Sequence, residues 1–200
     1  MEIPSLIGHK YAYIASDKLK KEQHLLFSDQ SMLSHVPKYG NETHSFFELL
    51  LAHSLVVDDY PNWEQSDLKW LQDSGTIFVD EEGILRMNTA RVAMLKDLYD
   101  HDVLCCSYYN KNLIDKYVSS GDLRYGNTLF TIPEQEYLNY MLNKAEFSNG
   151  LDLRNKYIHS TNSLDEQQQQ RDYIQILKIM TLIVLKINEE FCLVHPDRDA

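Results

Sequence analysis

Apolar residues recur at helical spacing through most of the chain. This pattern predicts helices over residues 16–27, 44–57, 63–75, 90–110, 111–120, 134–147 and 151–159. Thr131 and Ser163 each precede a glutamate by three residues, which is the spacing of a capping box at a helix start. The second box predicts a final helix of about seven turns. We therefore expect a mainly α protein, with only helices from residue 89 onward.

A β-hairpin interrupts this helical pattern near residues 76–87. Two β-favouring runs flank the acidic and glycine residues at positions 80–83, which are typical of a tight turn. The hairpin follows two predicted helices, and this element order is similar to that of a winged helix, a DNA-binding module of many regulators. We expect residues 1–88 to form a small N-terminal α+β segment, winged-helix-like by element order, and residues 89–200 to form a helical domain.

The net charge narrows the classes of function. Thirty acidic against nineteen basic residues give a formal charge of −11. Nucleic-acid binding without sequence preference depends on Lys and Arg side chains that neutralise phosphates, so this composition argues against it. Lys69 is the one basic residue of the predicted helix at 63–75, whereas a winged-helix regulator would need a basic face on residues 63–88. Any nucleic-acid chemistry must use a local basic spot or a partner that delivers the substrate.

Composition and the most apolar segments indicate what kind of protein this is and where in the cell it is located. An apolar fraction of 44% with seven Gly and five Pro is typical of a folded, helix-rich protein. The three cysteines form neither a disulfide framework nor a paired metal-binding motif. The first residues lack the basic and apolar regions of a signal peptide, and the most apolar run, residues 173–191, contains Lys178 and Lys186. We expect a cytoplasmic protein that does not associate with membranes and needs no metal or other cofactor.

One short segment departs from the usual separation of apolar and polar faces. On the helical wheel of residues 151–159, Arg154 falls within an apolar arc whose other members are Leu151, Leu153, Tyr157 and Ile158. A buried guanidinium is unfavourable unless it is paired. Its partner could be a carboxylate elsewhere in the fold, a second copy of the chain or an anionic ligand.

Arg154, Asn155 and His159 could together cleave an RNA phosphodiester without a metal. The planar guanidinium of Arg154 suits phosphate, and His159 titrates near neutral pH and can transfer a proton. Asn155 shares a face with His159 and can orient the imidazole or a phosphate oxygen. The ribose 2′-OH would be the internal nucleophile, His159 the proton-transfer group, and Arg154 the stabiliser of charge on the phosphorus oxygens.

These three residues match the R-N-x-x-x-H signature of the HEPN superfamily, and residues 150–153 resemble the apolar lead-in of that family. The chain resembles a HEPN domain over roughly residues 90–195, about half its length, although only the short signature is specific. The resemblance implies a HEPN-like helical bundle and a metal-independent endoribonuclease of a prokaryotic toxin–antitoxin or antiviral defence system. It also implies a homodimer in which both copies of the motif form one composite site, so that Arg154 lines a shared cleft.

The resemblance further implies an RNA substrate, with tRNA as one candidate, and an antitoxin or a defence-complex protein as partner. Some family members carry a tyrosine two residues beyond the histidine, where a partner nucleotidyltransferase modifies it. Thr161 stands at that position, so this mode of regulation has no acceptor there. Two alternatives stay open. One is a non-catalytic HEPN scaffold of a larger defence protein, in which Arg154 pairs with a core carboxylate, and the other is a winged-helix transcription regulator.

Overall fold

The structure is a computed structural model, and it describes residues 3–40, 43–144, 146–159 and 163–195. Thr161 lies outside these residues. The described chain is mainly helical, as the sequence predicts. Its α-helices are α1 Asp17–Phe27, α2 Phe46–Ala52, α3 Gln65–Asp73, α4 Thr89–His101, α5 Lys111–Ser119, α6 Ile132–Leu142, α7 Leu153–Ile158 and α8 Glu166–Val194. Its strands are β1 Tyr11–Ile14, β2 Ile77–Val79, β3 Leu85–Met87, β4 Leu104–Cys105 and β5 Leu123–Gly126.

Two compact units share the chain. The central unit is Ala12–Arg124, and the C-terminal unit combines Met1–Tyr11 with Tyr125–Ala200. The boundary expected between residues 88 and 89 falls inside the central unit. There α4 packs on α1, and the guanidinium of Arg91 on α4 pairs with the buried carboxylate of Glu22 on α1 at 2.6 Å. The helix expected to begin a second domain is therefore part of the core built around α1.

In the central unit, α1 begins at Ser16, whose hydroxyl accepts a hydrogen bond from the Leu19 amide at 3.3 Å. This is the usual N-cap arrangement. The helix also packs on α2. Buried apolar side chains from α1 to α4 supply the core of this unit: Leu19, Leu26, Phe46, Leu49, Leu68, Leu71, Ile77, Leu85, Met94 and Leu95.

The predicted hairpin is present. Strands β2 and β3 pair antiparallel with the register Ile77↔Met87, Phe78↔Arg86 and Val79↔Leu85. Gly83 closes the turn at a φ of +81°, in the left-handed region that glycine adopts without strain. Gly75 ends the preceding helix in the same way, at +75°.

The expectation of only helices after residue 89 was wrong. The predicted helix over residues 90–110 stops at His101, because Asp102 adopts a left-handed φ of 58° and its amide donates to the Leu98 carbonyl. Strand β4 follows almost at once, and β5 follows α5. These two strands flank β1 in a three-stranded sheet of order β4-β1-β5. None of the described helices combines the length and apolar character needed to cross a membrane.

In the C-terminal unit, the capping box at Thr131 is confirmed. The Thr131 hydroxyl accepts from the Glu134 amide, and the Glu134 carboxylate accepts from the Thr131 amide at 2.8 Å. The long helix α8 is capped by Asp165 rather than by Ser163, whose hydroxyl accepts from the Asp165 amide. The core of this unit joins α6, α7 and α8 through Leu129, Phe130, Leu138, Met141, Leu153 and Ile179.

The first residues of the chain belong to the same unit. The buried carboxylate of Glu190, near the end of α8, accepts from the Lys10 ammonium at 2.7 Å, the Ser5 hydroxyl at 2.5 Å and the Leu6 amide. The pattern of apolar residues carries no sign of this attachment, since a polar cluster makes it.

Candidate functional site

Helix α7, which carries the R-N-x-x-x-H signature, is held close to α6 by a backbone contact. Gly150 is buried, and its amide donates to the Phe147 carbonyl at 2.9 Å. The next amide, of Leu151, donates to the Tyr140 carbonyl on α6 at 2.8 Å. Leu153 then enters the core and is 1% exposed. Residues 150–153, which precede and begin the signature helix, therefore fix the start of α7 against α6.

Asn155 is oriented by the residue that precedes the helix. Asp152 adopts a left-handed φ of 56°, and its carboxylate accepts a hydrogen bond from the Asn155 side-chain amide at 2.8 Å. The backbone carbonyl of Asn155 accepts from the His159 amide at 3.0 Å, which closes the last turn. Asn155 and His159 therefore lie one turn apart at the end of α7, as their spacing predicts.

Arg154 and His159 are both exposed. No described residue makes a hydrogen bond or an ion pair with the side chain of either one. The apolar arc is divided, since Leu153 is buried whereas Tyr157 is 38% and Ile158 61% exposed. Arg154 thus lies on the outer side of α7 and not in the core.

Tyr157 connects α7 to α8. Its hydroxyl donates to the carboxylate of Asp172 at 3.2 Å, and the amide of Gln168 donates to the other oxygen of that carboxylate at 2.7 Å. Desolvation, followed by the nearby Asp172 charge, raises the pKa of the Tyr157 hydroxyl, so this group stays protonated and able to donate. Asp172 is 5% exposed, which makes the bond part of the packing between the two helices.

Sequence reasoning did not identify Asp152, Tyr157 or Asp172 as supports of the candidate site. Asp152 stands three residues before Asn155, a spacing at which a helix-preceding carboxylate can reach a side chain of the first turn. That signal was available in the sequence. The bond from Tyr157 to Asp172 joins positions fifteen residues apart on different helices, and no local pattern indicates it.

The segment that carries α7 is less acidic than the chain as a whole, although Asp172 of α8 adds a buried carboxylate beside Tyr157. Residues 150–159 contain Arg154 and Lys156 against one carboxylate, Asp152. A phosphate on the exposed side of α7 would meet Arg154 directly, whereas the Asp172 carboxylate is buried between the helices. Among the described residues, no group of three or more His, Cys, Asp or Glu side chains is placed to hold a metal ion. The arrangement offers one exposed cation, one oriented amide and one exposed imidazole.

The segment that was expected to resemble a winged helix by element order is acidic. Residues 63–88, which include α3 and the hairpin, contain six acidic residues and two basic ones, Lys69 and Arg86. Arg86 is already paired with Asp80 at 2.8 Å, so Lys69 is left to contact a phosphate. This segment lacks the basic face that a DNA-binding module requires.

Comparison with known proteins provides no relative from which a function could be transferred. No family model, curated protein or solved structure gives a significant match to the chain.

Proposed function

We propose that the protein is a metal-independent endoribonuclease whose site is formed by Arg154, Asn155 and His159. The observation that carries this proposal is the exposure of Arg154 and His159 beside an Asn155 that Asp152 holds in place. In the scaffold alternative, Arg154 pairs with a core carboxylate, and no described carboxylate makes that pair. An exposed arginine with no carboxylate partner among the described residues is available to an anionic ligand.

The chemistry follows from the groups that the site offers. His159 accepts the proton of the ribose 2′-OH, and the 2′-oxygen attacks the adjacent phosphorus. The bond from phosphorus to the 5′-oxygen breaks, and His159 returns the proton to that leaving oxygen. Arg154 stabilises the negative charge on the two non-bridging oxygens, and Asn155 orients either the imidazole or one of those oxygens. The products are a 2′,3′-cyclic phosphate and a free 5′-OH.

A homodimer would bring the catalytic groups together better than one chain does. His159 stands five positions after Arg154, which places the two residues about 140° apart around the axis of an ideal helix. A single copy therefore presents its arginine and its histidine in different directions. Two copies that meet at α7 could aim the arginine of one chain and the histidine of the other at the same phosphate.

The biological setting is proposed on the resemblance to HEPN proteins. In this proposal the protein is the toxin or effector of a prokaryotic toxin–antitoxin or antiviral defence system, and it acts in the cytoplasm on RNA such as tRNA. With a net charge of −11, tight general RNA binding is disfavoured, so an antitoxin or defence-complex protein would control or deliver the substrate. A non-catalytic assembly module remains the second candidate, because the outer face of α8 is broadly apolar.

The proposal is tested by incubating the protein with total RNA and with a set of purified tRNAs. Loss of the proton-transfer group in His159→Ala should lower the cleavage rate by about 100-fold or more. Arg154→Ala should also lower the rate, with an unchanged melting temperature because the side chain is exposed. Lys156→Ala is the matched control, since it removes a cation from the same helix outside the signature.

The chemical nature of the ends separates this mechanism from others. The 5′ fragments should carry a 2′,3′-cyclic phosphate, because the 2′-OH is the nucleophile that this site activates. Wild-type protein that cleaves none of these RNAs, together with a strongly destabilised Arg154→Ala, would instead favour the scaffold.

A further inference from the structure

The outer face of α8 carries a continuous row of apolar side chains, which we name the α8 seam. Its spacing alternates between four and three residues, which is the heptad pattern of helices that pack along one another. Its members are between 38% and 64% exposed: Tyr173, Leu177, Met180, Val184, Ile187, Phe191 and Val194. The seam covers three heptads of one helix.

The packing of α8 within its own unit uses only one edge of the seam, where Ile187 and Phe191 line a small cavity with Pro4, Leu6 and Leu129. An adjacent side of the helix places Ile179 in the core, with Ile176 and Ile183 packed against it. Near the two ends of that side, buried carboxylates make hydrogen bonds within the unit. Asp172 accepts from Tyr157, and Glu190 accepts from Lys10. The position of α8 in the C-terminal unit is therefore already determined, and the seam is additional apolar surface.

The seam is also nearly free of charge. Lys178 is the one charged residue exposed on the described part of α8 between Tyr173 and Val194. Soluble helices normally carry charged residues on the side that faces water. Seven side chains with about half their surface exposed present on the order of 650 Å² of apolar area, above the roughly 300–600 Å² of the largest patch on a typical monomer.

We propose that a second copy of the chain covers the seam, with α8 packed in parallel along α8 of its partner, so that the two α7 helices lie at the same end of the dimer. A heptad row needs a helix with the same repeat opposite it, since each apolar knob enters a hole between four residues of the facing helix. Among the described helices α8 alone is long enough, because the next longest, α4, has 13 residues. The same surface on two chains makes a closed two-fold interface.

The exposed area agrees with this assignment. A standard protein interface takes roughly 800 Å² from each partner, and the seam alone supplies most of that area. The inference deepens the proposed function by naming the surface of its dimer. Only the biological role of the dimer rests on the proposed function. The interface itself is inferred from the seam, which is a feature of α8.

The test measures the mass of the protein in solution by light scattering over a range of micromolar concentrations. Wild-type protein should be a dimer. Leu177→Glu and Val184→Glu should each raise the dimer dissociation constant by about 100-fold or more, because every dimer would bury two carboxylates in an apolar row. Leu164→Glu is the matched control: Leu164 is 94% exposed and precedes α8 outside the seam, so this variant should remain dimeric.

Circular dichroism and melting temperature, measured under monomeric conditions, check that the variants fold. Both substituted positions are more than half exposed, so the folded monomer should tolerate them. A wild-type protein that stays monomeric, or seam variants that dimerise as tightly as wild type, would overturn the inference. RNA cleavage is measured on the same samples. A seam-dependent dimer that cleaves no RNA upholds this inference while refuting the proposed function.

Discussion

A Cβ atom added to Gly150 would lie 2.7 Å from the backbone carbonyl oxygen of Tyr140. The carbonyl oxygens of Asn143 and Phe147 would both be 3.0 Å away. All three neighbours are backbone atoms, which cannot move aside as the end of a flexible side chain can. Gly150 therefore allows the chain that enters α7 to approach α6 closely, and this approach positions the candidate site.

Gly150→Ala should destabilise the protein, because the added methyl group forces α7 and α6 apart. Overpacking of this kind typically lowers the free energy of unfolding by about 1–3 kcal/mol. Denaturant titration measures the change. RNA cleavage, if present, should fall with it, since displacement of α7 displaces Arg154 and His159.

Gly8→Ala provides the control for this prediction. Gly8 lies in the same unit, an added Cβ there would meet nothing within 4 Å, and its φ is not positive. The variant should be as stable as wild type, or slightly more stable because alanine restricts the unfolded chain. Equal stability losses for the two variants would show that the close approach of Gly150 to α6 is unimportant.

Glu190 should make the stability of the C-terminal unit sensitive to acid. Burial alone would raise the pKa of this carboxyl, but hydrogen bonds from Lys10, Ser5 and the Leu6 amide outweigh it and hold the pKa below its ordinary value of 4.5. The carboxylate therefore stabilises the folded state at pH values above the pKa in the unfolded chain. That contribution is lost as the pH falls from about 4.5 through the lower folded pKa.

Urea unfolding between pH 7 and pH 3 tests this linkage. At pH 7, Glu190→Gln should lower the free energy of unfolding by about 1.5–3 kcal/mol, the usual range for hydrogen bonds to a charged group. The difference between variant and wild type should then shrink in acid, because the wild-type carboxylate becomes protonated. Glu81→Gln, at an exposed carboxylate of the hairpin, should follow wild type throughout. A difference that stays constant down to pH 3 would contradict the assignment.

Local signals in the sequence predicted much of the fold. The capping box at Thr131, the glycine that ends α3 and the turn of the hairpin each depend on residues close together in the chain, and the structure contains all three. The predicted C-terminal end of α4 was wrong because of the backbone geometry at one residue. Nothing in the composition of residues 90–110 indicates that Asp102 adopts a left-handed conformation, which aspartate tolerates better than most residues.

The candidate site was predictable in part for a similar reason. The spacing of Asn155 and His159 within one helix places them one turn apart, and the structure does so. The helical wheel placed Arg154 in an apolar arc and left its partner open, because it cannot show which residues of an arc are buried in the same chain. In the structure, contacts with α6 and α8 cover Leu153 and leave Ile158 exposed. Such contacts depend on tertiary packing, which the period of one helix does not encode.

RNA cleavage by the protein should survive EDTA. The proposed mechanism uses a guanidinium and an imidazole, and a chelator removes neither. The measurement compares initial rates on a tRNA substrate with and without excess EDTA, and the same samples are tested for recovery on addition of Mg²⁺. Activity that disappears with the chelator and returns with Mg²⁺ would mean that a metal site carries the chemistry.

Mixing two inactive variants tests whether the site is shared between chains. Arg154→Ala and His159→Ala homodimers should each be nearly inactive. In a mixed dimer, one chain keeps its arginine and the other keeps its histidine, so a site built from both chains becomes functional again. Random exchange of subunits yields mixed dimers as about half of the total, and each mixed dimer restores one of its two symmetric Arg154–His159 pairs. Activity should therefore recover to about a quarter of the wild-type level.

The α8 seam supplies the control for this experiment. The same mixture made with Val184→Glu present in both variants should recover no activity, because the chains cannot pair. Differently tagged chains, captured through one tag, show that exchange has taken place. Confirmed exchange without any recovery would mean that each chain acts with its own Arg154 and His159. In that case the shared cleft would be wrong, although the inference of a dimer would still hold. A single copy would then have to bring the two side chains together by bending at the end of α7.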